Sequence, residues 1–510
     1  VMLLFSFRYR PFLGFVFALT LLFGRMPIGY SQDDFQVVDV RRSATVTAIE
    51  KSQPAVAAVY AFDDGRRGTG SGSVIDPRGY VLTAKHVVMK DHIVLLGGRP
   101  PLRASLIGTM PEFDVAILKL GEQALHRPGA PTHPRANLPP DFIRLSVEAD
   151  VRMGETVLNI GSPGGRGIVA TQGILSAVAF TGVNPLALAT QSSTAFDEML
   201  QFDAASNPGN SGGPLVNLLG QQIGMAVSGI PGEEGVHFAL PLKTIRHSIP
   251  AILNSELRHR YISGITIDPQ LADVVVSEVA GESPASAAGI QPGDQIISVG
   301  GRGLRDPIDW EFTRFDWRPG DQCTLGIRRG DETMSASIKL SQRTGRPGQQ
   351  VAATEPGLLC RQSPYDPRLP NPLDEGQRPE GPPTIMTVVG PKPDSLSQED
   401  HYELLIEGLL KVDHAGVYRL GLRSDDGSKL YVHDELLIDN NGNHAPIVRT
   451  DWVDLQAGLH PIRIEFYEDE GDQVLELLMA KGDRELEAVS TDRLFHQPES
   501  NAAETASESE

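Results

Sequence analysis

The segment 207-NPGNSGGPLVN-217 decides how the first half of this chain is read. Gly209, Gly212 and Gly213 surround Ser211 with residues that permit backbone angles a side chain would forbid. A tight turn of this kind can aim one hydroxyl and two backbone N–H groups, those of Gly209 and Ser211, at a single point. An acyl-transfer nucleophile with its oxyanion hole needs that geometry. Gly, Asn, Ser and Pro are also ordinary turn formers, so the reading depends on a base and an orienting acid elsewhere in the chain.

Both are present. The strand-like run "YVLTAKHVV" ends at His86, and "EFDVAILKL" sets Asp114 just ahead of an apolar strand. His, then Asp, then Ser is one of the known chain orders for a catalytic triad. In that chemistry His86 takes the Ser211 proton during attack and returns it to the leaving amine. Asp114 fixes the imidazole tautomer and stabilises the cation that forms.

The surroundings agree. From about Thr45 to Pro250, short β-branched runs are punctuated by glycine ("AVAAVYAF", "DVAILKL", "ETVLNIGSPGG"), the pattern of an all-β barrel or sandwich. Residues 262–340 mix strands with short helix-like pieces, as a small α+β module does. Prolines crowd the stretch from 341 to about 389, a linker by composition. Alternating strands return from His401 to Phe495 and predict an antiparallel β domain. The tail "PESNAAETASESE" lacks apolar anchors and reads as a solvated, disordered end.

With 510 residues the chain is too long for one core. Forty-five Lys and Arg against 65 Asp and Glu leave a net charge of -20, which argues against nucleic acid as a partner. Arg8 and Arg10 precede the apolar run Pro11 to Phe23, the order of a secretory signal, with Gly29 and Ser31 placed for cleavage before Gln32. An uncleaved anchor is the alternative; either form exports the chain to the periplasm, the cell envelope or the exterior. Only Cys323 and Cys360 are available for a disulfide, and sequence does not decide whether they pair.

At this point the first block resembles the protease domain of the HtrA/DegP (Do-like) family. The residues that carry the likeness are "GTGSGSVIDPRGYVLTAKHVV", "DVAILKL", "GETVLNIGSPGG", "TQGILSAV", "FDAASNPGNSGGPLVN" and "GVHFALP". The resemblance implies a trypsin-like double β-barrel with His86 as base, Asp114 as orienting acid and Ser211 as nucleophile. It implies no cofactor for catalysis, unfolded or damaged envelope proteins as substrates, and a homotrimer or a multiple of it. It also places a regulatory loop at Phe180 to Leu200, expected to gate the oxyanion hole. Lys85 departs from the family's small residue before the histidine; its ammonium would disfavour the imidazolium, and its long chain needs an outlet to solvent. His237 departs near the strand lining the specificity pocket, where it either modifies that pocket or simply packs.

The second block resembles a PDZ domain, through "SGIT", "SPASAAGIQPGDQIISVGG" and "WRPGDQCTLGIRRGD". The resemblance implies capture of a peptide C-terminus on the loop Ser263, Gly264 and Ile265. The third resembles the protective-antigen-type β-sandwich, through "GVYRLGLRSDDGSKLYVHDELLIDNNG" and "VDLQAGLHPIRIEFYE", with "PGLLC" from Pro356 as its start. In lectin-like members an adjacent Asp pair binds calcium beside a glycan. Asp425 and Asp426 stand there, with Asn440, Asn441 and Asn443 as further oxygen donors, and a plain hairpin turn is the other reading.

The expected organisation is a mainly β, multidomain chain. It comprises a signal peptide (1–31), a protease domain (45–250), a PDZ domain (262–342), a linker (343–355), a β-sandwich (356–497) and an acidic tail (498–510). The expected function is an exported serine endopeptidase. Two alternatives stand beside it: a non-proteolytic chaperone or scaffold, and a surface carbohydrate-binding protein with an accessory protease.

Overall fold

The computed structural model describes residues 41–63, 65–124, 139–147, 150–180, 199–229, 235–364, 373, 379–391, 401–443, 446–469, 473–482, 484 and 486–498. The expected signal peptide, the acidic tail from 499 and most of the expected regulatory loop, 181–198, lie outside these residues. No helix among the described residues is long and apolar enough to cross a membrane.

After helix α1 (Ala44–Ser52), twelve strands close into two barrels. The first is formed by β1 (Val56–Asp63), β2 (Arg66–Asp76), β3 (Tyr80–Ala84), β4 (Asp91–Leu96), β5 (Leu102–Met110) and β6 (Val115–Ala124), in the order β1-β2-β3-β6-β5-β4. The second is formed by β7 (Thr156–Gly161), β8 (Val169–Phe180), β9 (Met199–Phe202), β10 (Pro214–Asn217), β11 (Gln222–Gly229) and β12 (His237–Pro241), in the order β10-β11-β12-β9-β8-β7. Closure removes the unpaired edges that open sheets expose. Val59, Val81, Leu82, Ile117 and Leu118 fill the first barrel and Leu175, Leu200, Phe202 and Leu215 the second, all nearly or wholly buried.

Helix α2 (Leu242–Leu253) packs Ile245, Ile249 and Ile252 onto the first barrel and leads through α3 (Ser255–Arg258) into the PDZ block. That block holds β13 (Tyr261–Ile262), β14 (Ile265–Ile267), β15 (Val276–Val279), α4 (Pro284–Ala287) and α5 (Pro307–Arg314), with a four-stranded sheet around Gln322–Arg329 and Glu332–Lys339. Asp306 caps α5 by accepting from the Asp309 amide. Ile308 and Phe312 of α5 are buried in the same apolar cluster as the first-barrel residues, and Phe312 stacks on Tyr80 at 4.0 Å. Burying two such side chains contributes on the order of 3–6 kcal/mol, so this contact holds the block against the barrel.

The third block is a sandwich of two antiparallel sheets sharing one core. Tyr402–Val412 pairs with Gly458–Glu468 along its whole length, while Gly416–Ser424 lies between Ile447–Leu455 and Leu475–Lys481 in the second sheet. Residues 343–355, read as a linker at the head of the proline-rich stretch, are stitched to this sandwich. Arg346 N–H donates to the Asp454 carbonyl at 2.8 Å and Gln349 N–H to Leu459 at 2.7 Å. Cys323 and Cys360 are free thiols buried in separate cores, and burial pushes them up to about 11 and about 12 respectively.

Candidate active site

His86 sits in a single 3-10 turn, Lys85–Val87, directly after β3. Asp114 ends another, Pro111–Phe113, just before β6, with its backbone in the left-handed region at φ 54°. Asp is among the few residues that visit that region readily. Because β3 and β6 are neighbours, with Ala84 opposite Val115, the two turns meet. Lys85 N–H donates to the Asp114 carbonyl at 2.8 Å. The Asp114 carboxylate then holds His86 twice: Oδ1 accepts from the His86 backbone N–H at 2.9 Å, and Oδ2 faces Nδ1 at 2.7 Å. A carboxylate at Nδ1 selects the tautomer protonated there and leaves Nε2 as the basic nitrogen. Asp114 is buried, whereas the His86 side chain keeps about a third of its surface in solvent. Lys85 is exposed, so its long side chain has the outlet it needs.

Ser211 lies in the turn that enters β10. Asn210 N–H donates to Asn207 O at 2.9 Å, Gly213 N–H to Asn210 O at 2.9 Å and Gly212 N–H to Ala226 O at 2.7 Å. Gly212 has φ +85°, and a Cβ there would stand 2.2 Å from the Ser71 carbonyl oxygen, so no other residue fits. The Pro208 carbonyl accepts from Gly164 N–H at 3.1 Å, so the Gly209 N–H of the same trans peptide points the opposite way within the peptide plane. Among the described residues neither the Gly209 nor the Ser211 amide donates a hydrogen bond. These are the two amides expected to stabilise an oxyanion.

The Ser211 hydroxyl is engaged elsewhere. It donates to the Val227 carbonyl at 3.0 Å, and among the described residues no hydrogen bond joins it to His86. The expected acid and base are therefore in contact, while the hydroxyl of the expected nucleophile is hydrogen-bonded to β11.

Sequence reasoning missed Ser71. Wholly buried on β2, it donates from Oγ to the Gly209 carbonyl at 2.6 Å and accepts from Ser162 N–H at 2.8 Å. Its own N–H donates to the Ser211 carbonyl at 2.8 Å. One side chain of the first barrel thus pins the serine turn of the second. The alternating "GTGSGS" was the available signal, since serines alternating with glycines inside a barrel strand need buried partners. His237, on β12, packs against Phe202 with ring centroids 5.6 Å apart, and burial lowers its pKa. That environment is one of packing.

The other predicted residues fall in two places. At the PDZ loop, Ser263 N–H donates to Glu256 Oε1 at 3.1 Å and Ile265 N–H to the Ser263 hydroxyl at 3.2 Å. In the sandwich, Asp425 Oδ1 accepts from the Asp426 and Val474 amides, each at 3.1 Å, and Asp426 Oδ2 from the Asp469 amide at 2.8 Å. Both carboxylates are buried and staple neighbouring loops, and no cluster of three or more His, Cys, Asp or Glu suited to a metal occurs among the described residues. Asn440 donates to the Ser424 hydroxyl at 2.8 Å, Asn441 accepts from the Gly442 amide at 3.1 Å, and Asn443 accepts from Tyr467 Oη.

Comparison with known proteins follows the same divisions. A trypsin-like peptidase domain matches residues 70–225, a PDZ domain residues 261–340 and a PA14 domain residues 384–487. Over 341 residues the chain is 30% identical to serine endoprotease DegS of Escherichia coli (strain K12), covering 61% of this chain and 90% of that protein. Over 290 residues it is 31% identical to a probable periplasmic serine endoprotease DegP-like of Bartonella henselae, covering 53% of this chain and 52% of that protein. A DegP-like protein of Brucella suis biovar 1 is 30% identical over the same length and coverage. The chain spans about half the length of these DegP-like relatives.

Proposed function

The chain belongs to the HtrA-type serine endoproteases, and on that premise we propose that it hydrolyses peptide bonds in exported, unfolded polypeptides through Ser211, His86 and Asp114. Ser211 Oγ leaves the Val227 carbonyl by rotation of its side chain and presents to His86 Nε2. As Oγ bonds to the scissile carbonyl carbon, its proton passes to Nε2, and the carbonyl oxygen gathers charge toward the Gly209 and Ser211 amides. Collapse of the intermediate returns the proton to the leaving amine. Water, activated by the same imidazole, then releases the acyl group from Ser211. No cofactor takes part.

The observation that carries this reading is the double hold of Asp114 on His86, together with the Gly209 and Ser211 amides, which donate no hydrogen bond among the described residues. A chaperone or scaffold that had lost catalysis would have no need of either. The relatives' names, periplasmic among them, support action in the cell envelope, with peptide C-termini received at the loop Ser263–Ile265.

Digestion of reduced casein by the wild type, with S211A as control, tests the activity. Cleavage lost in S211A supports it; cleavage equal in both overturns it. For the third domain the hydrogen bonds of Asp425 and Asp426 support a stapling role. A calcium titration that shifts its unfolding temperature would reverse that assignment in favour of a metal-dependent glycan site.

A further inference from the structure

The loop that would receive a peptide's terminal carboxylate already holds a carboxylate. Glu256, on α3, brings Oε1 to the Ser263 amide at 3.1 Å and also accepts from the Ser263 hydroxyl. The Arg314 guanidinium, on α5, stands 3.8 Å from the same oxygen. An amide, a hydroxyl and a cation converging on one carboxylate oxygen make a set of donors a peptide C-terminus would use. Gly264 makes the turn possible: at φ +77° its missing Cβ would lie 2.2 Å from the Ser283 side chain.

What surrounds Glu256 is a groove rather than a packed core. A cavity of about 620 Å³ opens here, bounded by Ile265 and Ile267 of β14, Ala251 of α2, and Arg314. Among the described residues β14 pairs only with β15, so its other edge is available for strand addition. Apolar walls, an open strand edge and an anion-binding end are the three elements of C-terminal peptide capture. The segment bearing Glu256 is itself anchored to the sandwich. The Arg258 guanidinium lies over the Trp452 ring at 5.8 Å, and Arg260 Nε pairs with Asp454 at 3.1 Å.

We propose that Glu256 is a tethered competitor of the peptide C-terminus, occupying the carboxylate end of the PDZ groove until a ligand displaces it. The proposal rests on the reading of Ser263–Ile265 as a peptide loop. Because Glu256 is part of the chain, its effective concentration at the loop is high, and an incoming carboxylate must outcompete it. Only ligands that also fill the apolar cavity and pair with β14 gain enough to do so, which makes the groove selective for extended chains over free carboxylates.

The test is fluorescence anisotropy of the full chain with a fluorescein-labelled decapeptide library ending in free carboxylates, beside the same library amidated. The proteins are wild type, E256Q and E256A, each on the S211A background so that no probe is cleaved. Removing the internal carboxylate should tighten binding of the free-carboxylate library roughly tenfold, the scale of one charge-assisted hydrogen bond, with no gain for the amidated library. E256Q keeps the size and the hydrogen-bonding oxygen of the native side chain, and thermal unfolding checks that both variants fold. Equal binding by wild type and both variants, weaker binding by the variants, or a gain shared by the amidated library would each overturn the competitor and leave the groove standing. Absence of binding in all three folded proteins would overturn the peptide groove itself.

Discussion

Ser71 shows how much of a catalytic turn is held from outside it. Its hydroxyl fixes the Gly209 carbonyl and its amide the Ser211 carbonyl, so it anchors the turn that carries the proposed oxyanion-hole amides rather than orienting those N–H groups itself. S71A should lower kcat roughly ten- to hundredfold with little change in KM, and destabilise the fold by about 1–3 kcal/mol through the partners left unpaired. Steady-state kinetics on a fluorogenic peptide, beside a denaturant curve, separate the two effects. A fall in stability alone would make Ser71 merely structural. His86, Asp114 and Ser211 could be singled out in the sequence because each lies in a short motif whose composition suits the expected chemistry, and the fold brings the first two together. Ser71 was not, because its role exists only where two barrels meet.

Among the elements, α5 joins two domains. Its helical character could be read from "PIDWEFTRF", but which face would dock could not, since Tyr80 lies more than 200 positions away in sequence. F312A should cost about 3–5 kcal/mol and free the PDZ block from the barrel, seen as faster amide exchange along α5. The segment 343–355 teaches the converse. Its place at the head of a proline-rich region suggested a linker, yet its amides at Arg346 and Gln349 pair with the sandwich, a partnership that composition does not encode. Within that sandwich, Glu403 on the strand Tyr402–Val412 is pushed up to about 7 by burial and, secondarily, by Glu465. A carboxyl raised in the folded state stabilises it at low pH, and that contribution is lost as the pH climbs from the ordinary carboxylate range through about 7. E403Q should therefore leave the sandwich unchanged at pH 4 and stabilise it by about 2 kcal/mol at pH 8, measured by urea unfolding at both values.

At the scale of the whole molecule, a charged cluster supplements the apolar dock between barrel and PDZ block. Arg78 bridges Asp76 and Asp309, each at 2.7 Å, and Arg305 bridges the same two carboxylates from the PDZ side. Burial opposes the charge on Asp309, but hydrogen bonds from Arg305 and Arg302 outweigh it and hold the carboxyl well below the usual range; Asp76 is lowered by Arg78 in the same way. Depressed carboxylates contribute stability above their unfolded pKa of about 4 and lose it as the pH falls further. Small-angle scattering should show the domains separating below about pH 3 while remaining docked at pH 6, with D309N loosening the dock already at pH 6. Three domains and their β character were legible in the sequence. That they share contacts through α5, Arg260 and residues 343–355 emerges only from the fold.

All of this turns on whether Ser211 can reach His86. Labelling the intact protein with a fluorophosphonate and locating the adduct by mass spectrometry measures that directly. The account predicts modification at Ser211, abolished in S211A and slowed by at least about 10³-fold in H86A. A folded wild type that takes no label, or one labelled at the same rate without His86, would contradict it.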